Sequence, residues 1–199
     1  MVRSTPRLIL ASRSPRRAEL LERLSLEFAV RVPDIDETVE PDESPEGAAA
    51  RLAESKARVA AEVGALAIGC DTLVVHRGDI LGKPSSRADA VGMIHRLEGE
   101  EHEVYTGVAL ASPERVESVV ETTRVWFRSL NAEECEEYVA TGEPMDKAGA
   151  YGIQGFGAAI VERIEGDYFN VMGLPIQRLL DLFRLFGWRY AFGTLVERD

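Results

Sequence analysis

Short apolar runs of strand length alternate along this chain with segments that open on a helix cap, and that alternation restricts it to a layered α/β architecture. Leu8-Ile9-Leu10-Ala11 reads as a strand; Ser14-Pro15, a cap with proline at the first helical position, predicts a helix from Pro15 to about Leu24. A second strand is expected over Phe28 to Val32, then an acidic, proline-marked loop from Pro33 to Glu43, then a helix from Ser44-Pro45 to roughly Val63. Leu66 to Cys70 and Leu73 to Val75 read as strand segments interrupted by the polar pair Asp71-Thr72, and Arg77-Gly78-Asp79 as a turn into Ile80-Leu81.

Ser86 caps a helix with Ala90, Ile94 and Leu97 on one face, ended by Gly99. Glu103 to Ala111 and Val116 to Leu130 carry the branched and aromatic residues of paired strands. Asn131 and Glu134 have the spacing of a capping box, for a helix to about Ala140 closed by Gly142. A glycine-rich stretch, Asp146 to Gly157, precedes a strand over Ala158 to Ile164, and Pro175 opens an apolar helix to Phe186. The expectation is one continuous domain over residues 1–199, long enough for one substantial core or for two small lobes sharing a mixed sheet, with the tail after Gly187 unassigned.

Charge narrows the partners. Twenty-three lysines and arginines face 34 acidic residues, for a net charge of -11, which opposes binding to polymeric nucleic acid and to anionic membranes. A phosphate ligand would therefore need positive groups gathered locally. Cys70 and Cys135 show no metal-ligand spacing and read as reduced thiols, and no run approaches membrane-spanning length, so a cytoplasmic location is expected. His76, His95 and His102 likewise lack ligand spacing and receive no role.

Several places concentrate chemistry. Ser12-Arg13-Ser14 followed by Pro15-Arg16-Arg17 sets hydroxyls, unpaired backbone donors and guanidinium groups around one helix amino terminus, an anion site unless it is simply a capped surface helix. Lys56 falls on the apolar stripe formed by Ala49, Leu52, Ala53 and Ala60, where it must either snorkel or meet an anion. Asp71 lies inside apolar sequence, and a carboxylate there needs a cation or several donors; a metal, a proton-acceptor role or a structural turn cap would each satisfy it. Glu37, with Asp34 and Asp36, offers hard oxygen ligands suited to magnesium or manganese, although acidic loops are commonly just solvated. Gly82-Lys83-Pro84 and the loop from Asp146 to Gly155 let a ligand approach the backbone, or serve turn geometry alone.

In order and spacing these segments resemble the Maf family from Leu8 to about Phe186. The matching stretches are Leu10-Ala11-Ser12 with Ser14-Pro15-Arg16-Arg17, Glu54-Ser55-Lys56-Ala57, Asp71-Thr72, Gly82-Lys83-Pro84, Asp146 to Gly155, Gly166-Asp167-Tyr168 with Asn170-Val171, and Gly173-Leu174-Pro175. The resemblance implies a fold shared with inosine triphosphate pyrophosphatases: an elongated, twisted mixed β-sheet flanked by helices, two lobes and a central cleft, usually as a homodimer. It implies a nucleoside triphosphate pyrophosphatase with Asp71 as proton acceptor and Glu37 and Asp71 beside a Mg2+ or Mn2+ ion. By the same resemblance Ser12, Arg16, Arg17, Lys56 and Lys83 grip the triphosphate, and Arg16, Thr72 and Gln154 mark the subgroup acting on dTTP and UTP rather than 7-methyl-GTP. Arg13 departs from the small or neutral residue common in that family, and the tail lies outside its pattern.

Two other readings use the same residues. Asp34-Ile35-Asp36-Glu37-Thr38 fits the nucleophile motif of haloacid-dehalogenase phosphatases, but Pro33 precedes it and no later paired-aspartate motif follows. A non-catalytic nucleotide-binding regulator of cell division would use the cationic residues yet gain nothing from Asp71 and Glu37 without a metal.

Overall fold

A computed structural model describes residues 5–198; the ends of the expected 1–199 domain lie outside the described residues. In chain order the elements are β1 (Arg7–Ala11), α1 (Pro15–Arg23), β2 (Phe28–Val30), α2 (Pro45–Ala60), β3 (Ala65–His76), β4 (Asp79–Leu81), α3 (Arg87–Leu97), β5 (Glu101–Ala111), β6 (Val116–Phe127), α4 (Ala132–Ala140), β7 (Val161–Glu165), α5 (Tyr168–Met172), α6 (Ile176–Leu185), β8 (Trp188–Tyr190) and β9 (Leu195–Glu197). Helices flank a seven-stranded sheet of order β2-β1-β3-β5-β6-β7, with β4 paired to β3. The sheet is mixed: β1 runs parallel to β2 and β3, whereas β3–β4 and β6–β7 are antiparallel.

The chain forms two compact units. The first holds residues through Asp71, Thr106–Glu121 and Gly173 onward; the second holds Thr72–Tyr105 and Thr122–Met172. In the first, β1-α1-β2 and β2-α2-β3 are parallel crossovers placing β1 between β2 and β3. The chain leaves β1 toward one side and returns on the other, so the carboxyl end of β1 is a topological switch point, the place where sheets of this kind bind ligands.

Helix α2 presses on that sheet with an alanine face of Ala48, Ala49, Ala53, Ala57 and Ala60. The strands meet it with glycines: a Cβ on Gly69 would lie 2.1 Å from the Ala53 carbonyl oxygen, and one on Gly107 would lie 2.1 Å from that of Ala49. Backbone therefore approaches backbone, which neither position could allow with a side chain. The tail, unassigned from sequence, is the β8–β9 hairpin, held in this unit by the Tyr190 hydroxyl donating to the Leu24 carbonyl at 2.9 Å.

The core of the second unit includes Val74, Ile94, Leu97, Val104, Phe127 and Tyr138. Ser86 caps α3 through the Asp89 amide at 3.1 Å, and Asn131 with Glu134 forms both hydrogen bonds of the expected capping box on α4. Asn170, fully buried, donates to the Val104 carbonyl and to Thr123 Oγ1, both at 2.9 Å; the short α5 that carries it had no separate signal in the sequence. No helix among the described residues is long and apolar enough to cross a membrane.

Several boundaries differ from expectation. Strand β3 runs unbroken through Asp71-Thr72, because an extended backbone pairs through its own amides and carbonyls whatever its side chains are. Strand β2 stops at Val30, and α2 stops at Ala60 because Ala61 is already extended. Strand β7 starts at Val161, since Gly155–Ala159 is wound into a tight 3-10 turn.

Candidate active site

Lys56 meets anions rather than snorkelling. It faces inward from α2 at 6% exposure, and its Nζ lies 2.6 Å from Asp71 Oδ1 and 2.9 Å from Glu37 Oε1. Asp71 is also buried, while the Glu37 side chain is about half exposed, so the cluster opens to solvent on the glutamate side. Close seating of α2 over Gly69 sets the height from which Lys56 reaches Asp71, two residues further along β3.

Glu37 owes its place to a residue the sequence reading passed over. Arg51, on α2, forms a fork with Glu43, Nε to Oε1 and Nη2 to Oε2 both at 2.7 Å, and Nη2 also donates to the Thr38 carbonyl at 3.0 Å. It ties both ends of the segment Thr38 to Glu43 to the helix that bears Lys56, and its guanidinium holds the Glu43 carboxyl down at about 2. Its only sequence signal was an arginine eight residues after a loop glutamate, which carries no period. The segment Asp34 to Thr38 is loop, with Asp36 accepting the Thr38 amide at 2.9 Å, unlike the strand end a haloacid-dehalogenase nucleophile requires.

At the switch point, Ser12 and Arg17 form a second group. Ser14 occupies the N-cap position of α1 but makes no side-chain cap bond; instead Ser12 Oγ accepts from the Ser14 amide at 3.2 Å. Arg17, on the buried side of α1, donates through Nη1 to Ser12 Oγ at 3.0 Å and to the Cys70 carbonyl at 2.9 Å, and through Nε to the Gly173 carbonyl at 2.8 Å. Because Cys70 precedes Asp71, this group and the Lys56 group converge on one stretch of β3. Arg16 is half-buried in the first turn of α1. Both cysteines are free and buried, and burial pushes the Cys70 thiol up to about 11, so it is no thiolate nucleophile.

Thr72, Lys83 and Gln154 belong to the second unit. Thr72 continues β3; Lys83 is exposed after β4, in a turn pinned by the Gly149 amide donating to the Gly82 carbonyl at 3.0 Å. Gln154 is half-buried in a loop braced by Glu143, a residue with no distinguishing sequence signal. Glu143 Oε1 accepts from the Tyr138 hydroxyl and the Gly157 amide at 3.0 Å each, and Oε2 from the Phe156 amide at 2.8 Å.

For a metal ion, the chain offers little alone: no group of three or more histidine, cysteine, aspartate or glutamate residues among the described ones could hold an ion. Glu37 and Asp71 still fit one, since both present carboxylate oxygens to a common point, now filled by Lys56 Nζ. Two carboxylates suit magnesium or manganese ions that take their other ligands from substrate phosphates and water.

Cations and carboxylates gathered where β1 ends are the marks of an α/β protein built to handle a phosphate compound. The chain belongs to the Maf family: the family model described as Maf-like protein matches residues 7–186. It is 50% identical over 183 residues to the dTTP/UTP pyrophosphatase of Geobacillus sp. (strain WCH70), covering 91% of this chain and 98% of that protein. It is likewise 51% identical over 185 residues to the dTTP/UTP pyrophosphatase of Moorella thermoacetica, covering 91% of this chain and 95% of that one.

Proposed function

We propose that this protein hydrolyses dTTP and UTP between the α and β phosphates, releasing the nucleoside monophosphate and pyrophosphate. The convergence of Lys56, Glu37 and Asp71 beside the Ser12–Arg17 group carries the reading. The identity of about half the chain to proteins named for this activity supports it.

In the reaction a water oxygen bonds to the α-phosphorus, the bond from that phosphorus to the α-β bridging oxygen breaks, and pyrophosphate departs. Asp71 orients the water and accepts its proton. The amides at the start of α1, with Ser12, Arg16 and Arg17 around them, offer positive potential to the triphosphate, as does Lys56. Lys83 is assigned to the same phosphates, and Arg16, Thr72 and Gln154 to selection of the pyrimidine nucleotide. A Mg2+ or Mn2+ ion held by Glu37 and Asp71 would neutralise charge on the phosphate oxygens. A homodimer in the cytoplasm completes the proposal.

A regulator that only bound nucleotide would need no carboxylate pair aimed at the phosphate-binding cations, because that pair repels a polyanion. The deciding experiment is a panel of dTTP, UTP, CTP, 7-methyl-GTP and ITP with pyrophosphate quantified. Pyrophosphate released fastest from dTTP and UTP is expected. Inorganic phosphate as the product, or no turnover with either metal, would sink the reading.

A further inference from the structure

The two carboxylates assigned to the metal are already matched by a cation of the chain itself. Lys56 Nζ sits within hydrogen-bonding distance of both Asp71 Oδ1 and Glu37 Oε1, and its side chain is only 7% exposed. A divalent ion bound through those oxygens would stand directly against a buried ammonium, at a separation where even partial exposure on the glutamate side leaves a strong repulsion. The ion and the ammonium therefore compete for one position. What distinguishes them is what else they can bind: an ammonium is satisfied equally well by phosphate oxygens.

We propose that Lys56 is an internal counter-cation that makes the divalent site conditional on nucleotide. Without nucleotide, Lys56 offsets one of the pair's two negative charges and occupies the position the ion would take. A polyphosphate supplies oxygens to which Nζ transfers, and Glu37 and Asp71 are then released to the ion. The stem permits this exchange, because the unbranched lysine chain turns about its own bonds while α2 stays seated on Gly69 and Gly107. Glu37, on the solvent side, is the oxygen donor an incoming ion meets first. The inference rests on the reading of Glu37 and Asp71 as the metal-holding pair.

Water-proton relaxation by Mn2+ tests it on the full-length chain, with and without thymidine 5′-(α,β-imido)triphosphate. The unsubstituted protein is expected to bind Mn2+ at least about tenfold more tightly in the ternary complex than alone, and Lys56→Met to gain a similar factor for Mn2+ alone. Circular dichroism and the thermal midpoint establish that the variant is folded, and Lys56→Gln gives a second uncharged side chain. Equal Mn2+ affinity with and without nucleotide in the unsubstituted protein, or no gain in folded Lys56→Met and Lys56→Gln, overturns the proposal. Glu37→Gln and Asp71→Asn separate the two levels. If neither weakens Mn2+ in the ternary complex, the metal-holding pair is wrong; if both do and the lysine variants gain nothing, only the counter-cation role fails.

Discussion

Arg17 Nη1 donates to the carbonyl oxygen of Cys70 at 2.9 Å, one residue before Asp71 on β3. The same nitrogen holds Ser12 Oγ, and Nε holds the Gly173 carbonyl, so one guanidinium joins the end of β1, the middle of β3 and the approach to α6. Arg17→Lys keeps the charge but cannot span three acceptors. It is expected to lower stability by about 2 kcal/mol and kcat by roughly tenfold, since buried carbonyls lose charged donors and the strand bearing Asp71 relaxes. Denaturant midpoints and steady-state kinetics on dTTP check both; unchanged kcat with raised KM would instead assign Arg17 to phosphate binding alone.

Asp71→Asn preserves shape and removes the proposed proton acceptor. Turnover should fall by about a thousandfold while dTTP still binds, as expected where one general base is lost and the phosphate-binding cations remain. Calorimetric titration beside a pyrophosphate assay makes the comparison, and unimpaired hydrolysis would remove Asp71 from the mechanism.

Gly69→Ala and Gly78→Ala should differ sharply although both add one methyl. The first sets a Cβ 2.1 Å from the Ala53 carbonyl oxygen and 2.6 Å from the Ala57 amide nitrogen, forcing α2 off the sheet at an expected cost of about 3 kcal/mol. The second meets nothing within 4 Å and suffers only from its φ of +88°, an expected cost of about 1 kcal/mol. Urea unfolding of the two variants measures the gap. Only Gly69→Ala should also reduce activity, because Lys56 rides on the displaced helix.

His102 makes the second unit acid-sensitive. It packs edge-on against Phe127 and Tyr151, with Nε2 2.8 Å from the Tyr151 hydroxyl, and burial first, then the nearby His76 charge, lowers its pKa to about 3. The folded form resists the proton that the unfolded chain accepts below about 6.5, so stability present above that pH drains away as pH falls toward 3. Between pH 7 and 5 the loss from this group should be about 2 kcal/mol. His102→Gln should flatten the slope of urea midpoint against pH over that window; an unchanged slope would assign the acid sensitivity elsewhere.

What could be read from the sequence had a local cause. The Asn131–Glu134 box, the Ser86 cap and the inward face of Lys56 all follow from spacings within one or two helical turns. Asp71 stood out because a carboxylate in an apolar run requires a cation or several donors, though the run itself did not name Lys56 as its partner. The hidden parts depend on contacts between distant segments. Glu143 resembles any surface glutamate until three donors close on it, and the Arg51 fork needs the fold of the Pro33 to Glu43 loop. The polar pair Asp71-Thr72 looked like a break because side-chain patterning reports faces, whereas strand continuity depends on backbone pairing. Gly69 and Gly107 carried a signal, lone glycines within strand sequence, but the alanine face they receive lies on a separate element, α2, which strand patterning does not reveal.

At those two glycines helix and sheet approach so closely that a single added methyl would meet α2 backbone. Lys56 therefore moves against Asp71 through its own side chain: a closely seated helix carries a supple arm, and the arm's length sets how far its charge can be handed across the site.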